Sequence, residues 1–69
     1  MSEKFYALYT ESKYILVFDD EEERDAYVNF EYISHPDCIS VSFDDIKDMI
    51  GDKHPEFDPS FGCYALLAN

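Results

Sequence analysis

Residues 4–18, KFYALYTESKYILVF, decide the fold. The runs 4–10 and 13–18 are rich in β-formers and are separated by Glu11-Ser12, which predicts an antiparallel hairpin even without an Asn-Gly turn. Alternation puts Phe5, Ala7 and Tyr9 on one side of the first strand, with Tyr6 and Leu8 on the other. Tyr14, Leu16 and Phe18 oppose Ile15 and Val17 on the second. Both sides of the hairpin are therefore apolar. One is expected to meet helices and the other to be only partly covered.

Downstream, Asp20 is placed to cap a helix, with Glu23 three residues on as in a capping box and acids filling the first turn to suit the helix dipole. At 100° per residue Ala26, Phe30 and Ile33 form one stripe, with Tyr27 beside it, and this stripe predicts the inner face. Glu21, Arg24, Asp25, Val28, Glu31 and Tyr32 fall opposite. The helix must end before His35-Pro36, because the residue before proline is pushed out of the α region. Residues 38–41, CISV, are a short strand candidate. Ser42 with Asp45 opens a second helix that stops at Gly51 and turns Phe43, Ile46, Met49 and Ile50 inward. Residues 51–60, GDKHPEFDPS, read as a loop, and 61–68, FGCYALLA, without a charge, as a buried closing strand. The expectation is an α+β fold in the order β-β-α-(β)-α-β, with a three- to four-stranded, mostly antiparallel sheet and two helices on one face.

Sixty-nine residues make a single small domain, 1–69. By size scaling such a chain exposes roughly 4,500 Å² when folded against roughly 11,700 Å² unfolded. Its six Phe and six Tyr supply large buried areas per ordered residue, which favours a compact core over disorder. The start, MSEKFYALYT, lacks the basic and apolar segments of a signal peptide, and no run approaches a membrane span. A cytoplasmic protein is expected, with Cys38 and Cys63 as free thiols of a reducing compartment or, alternatively, bridged to each other.

Sixteen acids against five bases give a net charge of −11. The charge is concentrated. Residues 19–25 hold six acids against Arg24, and residues 44–58 hold six against Lys47 and Lys53. Such a balance argues against direct nucleic-acid binding, where phosphates demand Lys and Arg, and against an anionic membrane.

No catalytic signature is present. There is no G-x-S-x-G, no H-E-x-x-H and no Gly-rich phosphate loop, since Gly51 and Gly62 are the only glycines. The acidic runs lack the D-x-[DN]-x-[DN]-G pattern of a calcium loop. His35, Cys38, His54 and Cys63 would be a legal zinc set, but they lack the two tightly spaced pairs of structural zinc sites. Cys63 reads instead as a strand residue, Cys38 as a strand opener and both His-Pro pairs as turn punctuation. Neither enzyme activity, nor a metal, nor a cofactor is expected.

The acid clusters carry the remaining signal. Acids at helix starts are ordinary, but an ordinary soluble surface intersperses both signs, and crowding one sign on a small domain costs stability through self-repulsion. Duplex DNA carries one negative charge per about 1.7 Å of axis, a density that carboxylates on two helices can imitate. A very small, strongly acidic, aromatic-rich α+β chain resembles the inhibitors encoded by phages and mobile elements, in particular the anti-CRISPR proteins that act as DNA mimics. The resemblance spans the chain in size, charge and layout and rests on no motif. It implies non-enzymatic blockade of a DNA-binding site on a CRISPR effector or another DNA-binding protein of the host cell.

The expected partner-binding residues are Asp19, Glu21, Glu22 and Asp25 on the first helix and Asp44, Asp45, Asp48 and Asp52 on and after the second. Val28 and Tyr32 are the expected apolar anchors, because carboxylates alone give steering more than affinity. The alternative is an adaptor domain that binds through its sheet edge or aromatic surface, using Tyr6, Tyr9 or Tyr14, with the acids serving solubility. A homodimer through partly apolar sheet faces is compatible with either.

Overall fold

A computed structural model describes residues 3–68. The elements are β1 (Phe5–Tyr9), β2 (Tyr14–Phe18), α1 (Glu21–Glu31), β3 (Cys38–Val41), α2 (Phe43–Ile50), β4 (Glu56–Asp58) and β5 (Cys63–Leu67). They form an α+β fold with one five-stranded sheet in the order β3-β1-β2-β5-β4, every neighbour antiparallel.

The β1–β2 hairpin forms as expected, but its turn has four residues rather than two. Tyr9 pairs with Tyr14, and the Lys13 N–H donates to the Tyr9 carbonyl at 2.8 Å. Two-residue turns need residues that accept positive φ, and Glu11-Ser12 offers none. The longer turn places that strain on Lys13, at φ +65°.

The sheet gains a strand that reads as loop in the sequence. β4 is three residues long, lies between Pro55 and Pro59, and pairs Asp58 with Cys63. Its hairpin is closed by Asp58. The Asp58 carbonyl accepts from the N–H groups of Phe61 and Gly62, and its side chain accepts from that of Ser60. Gly62 takes φ +73°, as a turn closing on a left-handed residue requires. Short and acidic, β4 blunts the edge it occupies.

The helices pack on opposite sides of the sheet, a correction to the single helical layer expected. Cross-strand partners share a face, so Ala7, Leu16 and Ala65 form one row and Leu8, Ile15 and Leu66 the reverse. The first row, with Tyr9 and Cys38, is covered by Tyr27 and Val28 of α1 together with Phe61. The second is covered by Ile46, Met49 and Ile50 of α2. A hairpin apolar on both sides leaves half its rings in water under one layer. The edge strand β3, between the two helices, passes the chain from one side to the other.

α2 follows its predicted stripe at Ile46, Met49 and Ile50, whereas Phe43, also expected inward, is 51% exposed at the helix start, beside the Tyr6 ring. Ile46 is fully buried, which contributes roughly 2–3 kcal/mol. The Asp45 carboxylate accepts from both the Ser42 N–H and its hydroxyl at 3.0 Å. α1 does not follow its stripe. Arg24, Tyr27, Val28 and Glu31 turn inward while Ala26, Phe30 and Ile33 face solvent, Phe30 74% and Ile33 85% exposed. Asp20 stands at the N-cap position without a side-chain cap bond.

The cause lies in the sheet. Tyr9 is almost buried and its hydroxyl needs partners. It donates to Glu31 Oε1 at 2.7 Å, and the Tyr27 hydroxyl lies 2.8 Å away. Only the Arg24–Tyr27–Val28–Glu31 side of α1 supplies these groups. Satisfying a buried phenol outweighs hiding Phe30, since an exposed ring costs less than an orphaned buried donor.

Candidate functional site

Arg24 organises the acidic end of α1. Its side chain is only 11% exposed. The guanidinium donates to the Tyr6 carbonyl at 3.2 Å and to Asp25 at 2.7 Å, and one terminal nitrogen lies 3.5 Å from Glu21. The same group lies 5.8 Å from the Phe5 ring centroid. The one cation of residues 19–25 is thus folded against the sheet, and its charge is not displayed. Sequence periodicity had put it outward, and only the carbonyl and ring offered by β1 reveal why it is not.

The starts of the two helices meet at one end of the sheet. Glu21 and Asp45 line a common groove of about 550 Å³, floored by the beginning of β1 and the end of β3. Asp19 is tied to Lys4 beside it. The structure therefore brings Asp19, Glu21 and Asp45 to one end, with Asp44 alongside Asp45 at the α2 start. Asp25 is on the same helix as Glu21 and is held by Arg24. Asp48 lies farther along α2, in a cleft shared with Lys13 and Met49, and Asp52 is exposed in the turn that follows. The eight acids do not make one plane. They wrap from α1 on one side of the sheet to α2 on the other.

Their engagement differs. Asp45 is occupied in the cap of α2. Asp44 is 3.9 Å from Lys47, a separation at which an exposed pair is worth little. Glu22, Asp48 and Asp52 make no ion pair or hydrogen bond among the described residues. No Asp, Glu, Lys or Arg is buried among the described residues, so these three carboxylates are directed at solvent.

Of the two expected apolar anchors, Tyr32 is 60% exposed at the end of α1, whereas Val28 packs on the core and is not available. Other apolar groups reach solvent: Phe43 in the groove shared by Glu21 and Asp45, and Phe30 and Ile33 toward the end of α1. The spacing of Phe30 and Ile33 from Ala26 is the signal, visible in the sequence but pointing the wrong way there. Tyr9 is likewise buried, and Tyr6 and Tyr14 are half-buried, so the aromatic surface is not the one expected.

Cys38 and Cys63 are free thiols. Burial pushes both above the ordinary thiol value, which disfavours the nucleophilic thiolate. His35, Cys38, His54 and Cys63 do not converge: among the described residues no three His, Cys, Asp or Glu side chains stand together as metal ligands. No helix of the described residues is long and apolar enough to cross a membrane. Comparison with known protein families, with curated proteins and with solved structures gave no match.

Proposed function

We propose that this chain is a non-enzymatic acidic inhibitor that occupies the basic nucleic-acid-binding groove of a host protein, as an anti-CRISPR-like DNA mimic that blocks target binding by a CRISPR effector. The observation that carries the reading is the inward engagement of Arg24, which pairs with Glu21 and Asp25 and leaves Asp20, Glu22 and Glu23 without a cationic partner among the described residues. The wrapping of the acids supports it further. A duplex shows phosphate on every side, and a body with principal extents of 31 × 29 × 24 Å and carboxylates on both of its layers suits a channel that encloses its ligand. Phe30, Tyr32 and Ile33 supply the apolar contacts that carboxylates lack.

The test is a pull-down from nuclease-treated host lysate, eluted along a salt gradient. A DNA-binding protein released at moderate salt and displaced by duplex DNA is the expected result, because such a contact is dominated by screened charge. Reversing Glu21, Glu22, Asp44 and Asp48 to Lys should abolish the inhibition with circular dichroism unchanged. Retained inhibition by that folded variant would falsify the reading.

A second reading is favoured by the exposure of Phe30 and Ile33: an adaptor domain that binds through the outer side of α1, with the acids as solvation. It expects a partner that survives high salt, ignores DNA and is lost on replacing Phe30 and Ile33 by Ser.

A further inference from the structure

At the far end of α1 the sheet and its two hairpin turns leave an open cleft of about 630 Å³. Its walls are aromatic: Tyr9, Tyr14, Tyr27 and Phe61. The Phe61 ring centroid lies 5.3 Å from that of Tyr14 and 6.1 Å from that of Tyr9. Glu11, Glu31 and Asp37 line the same cleft, and no Lys or Arg does.

Two independent features suit this cleft to a cation. Ring faces carry the negative part of the aromatic quadrupole and attract cations within about 6 Å of the centroid. The Glu31 side chain is only 19% exposed, yet it sits on the last residue of α1, where helix carbonyls already concentrate negative potential. The last turn of α1 holds no basic residue. The base that does face Glu31 is His35, whose Nδ1 is 3.3 Å away and which lies edge-on to Tyr9. Tyr9 donates to Glu31 Oε1, leaving the carboxylate with acceptor capacity toward the cleft.

The mixture of rings and carboxylates selects the cation. A quaternary amine would use the rings and leave the carboxylates unpaired. A lysine ammonium is compact and strongly hydrated. A guanidinium is planar, weakly hydrated, stacks on aromatic faces and donates to carboxylate oxygens at the same time. We propose that the cleft receives an arginine side chain of a partner protein, stacked against Tyr14 and Phe61 and hydrogen-bonded to Glu31. Glu21 and Glu31 stand at the two ends of α1, ten residue rises or about 15 Å apart, so this inference does not rest on the DNA-mimic reading.

The experiment is an amide-shift titration of the ¹⁵N-labelled chain with N-acetyl-arginine amide at 0.15 M salt, beside N-acetyl-lysine amide and tetramethylammonium. Saturable millimolar binding is expected, strongest for the arginine derivative, with shifts confined to residues around Tyr9, Tyr14, Glu31 and Phe61. Glu31→Gln, which keeps the shape and an acceptor for Tyr9, and Phe61→Leu should each weaken it roughly tenfold, and Glu21→Gln should not. Shifts spread over the acidic helix starts, equal binding of the lysine derivative, tighter binding of tetramethylammonium, or indifference to both cleft variants would overturn the proposal. Amide spectra of the free variants establish that each is folded, and Glu31→Gln alone decides the matter should Phe61→Leu unfold.

Discussion

The Tyr9 hydroxyl donates to Glu31 Oε1 at 2.7 Å, joining the last residue of β1 to the last residue of α1. This bond, with the Tyr27 hydroxyl beside it, sets the rotation of α1 about its axis. That rotation in turn decides that Arg24 is hidden and Phe30 is displayed.

Tyr9→Phe should therefore cost about 2 kcal/mol, the loss of a hydrogen bond to a charged and largely buried acceptor, read as a lowered urea midpoint. Its pH dependence is distinctive. Burial, then the hydrogen bonds shared with Tyr27 and Glu31, holds the Tyr9 phenol well above its ordinary value of 10.0. The native state keeps this proton where the unfolded chain loses it. The contribution is thus fully present below about pH 10 and is lost as pH rises beyond it. Between pH 9 and 11 the urea midpoint of the native sequence should fall more steeply than that of Tyr9→Phe. Equal slopes would show that the phenol titrates as if exposed.

Arg24→Met keeps an apolar stem against Phe5 but removes the bonds to Tyr6, Asp25 and Glu21. A loss of about 1 kcal/mol is expected, because the two carboxylate pairs are exposed on one side and contribute little. If stability is set mainly by repulsion among residues 19–25, the loss will instead shrink at 0.5 M salt, where exposed charges are screened. Thermal melts at the two salt concentrations separate these terms.

Lys13 occupies the left-handed region at φ +65° without being glycine. Lys13→Gly should stabilise the chain by about 1 kcal/mol, the cost of that conformation for a residue with a Cβ. A drop in melting temperature would mean that the Lys13 side chain contributes more than its backbone costs.

Exposure and periodicity make opposite forecasts for α1. With Phe30 and Ile33 in solvent, the double variant Phe30→Ser and Ile33→Ser should change unfolding free energy by no more than about 0.5 kcal/mol. Ile46→Ala, on the stripe of α2 that is buried, should cost about 3 kcal/mol. Chemical denaturation of both variants checks the contrast, and a large loss in the first would return Phe30 and Ile33 to the core.

The strand registers, the four-residue hairpin turn and the β4 pairing differ in how far they could be read. The hairpin itself, both helices, β3, β5 and the stop at Gly51 follow from short-range terms: alternation, capping by Ser42 and Asp45, and a proline after His35. β4 did not, because Glu56-Phe-Asp58 has no β signature of its own. It becomes a strand only when the Asp58 turn folds it back on β5.

For the candidate site, the acidic character was legible and its geometry was not. The charges of residues 19–25 and 44–58 are properties of composition and survive any packing. Whether residues 19–25 also display a positive charge depends on Arg24, and Arg24 depends on what β1 offers it. The sequence by itself determined the element order apart from β4, the apolarity of both hairpin sides and the concentration of carboxylates, since each is written in neighbouring residues. Only the tertiary structure decided that the helices lie on opposite layers and that α1 turns its polar–aromatic side inward. The physical reason is one buried phenol. Tyr9 can be satisfied only by Tyr27 and Glu31, residues eighteen and twenty-two positions away, and no local pattern records a requirement that distant.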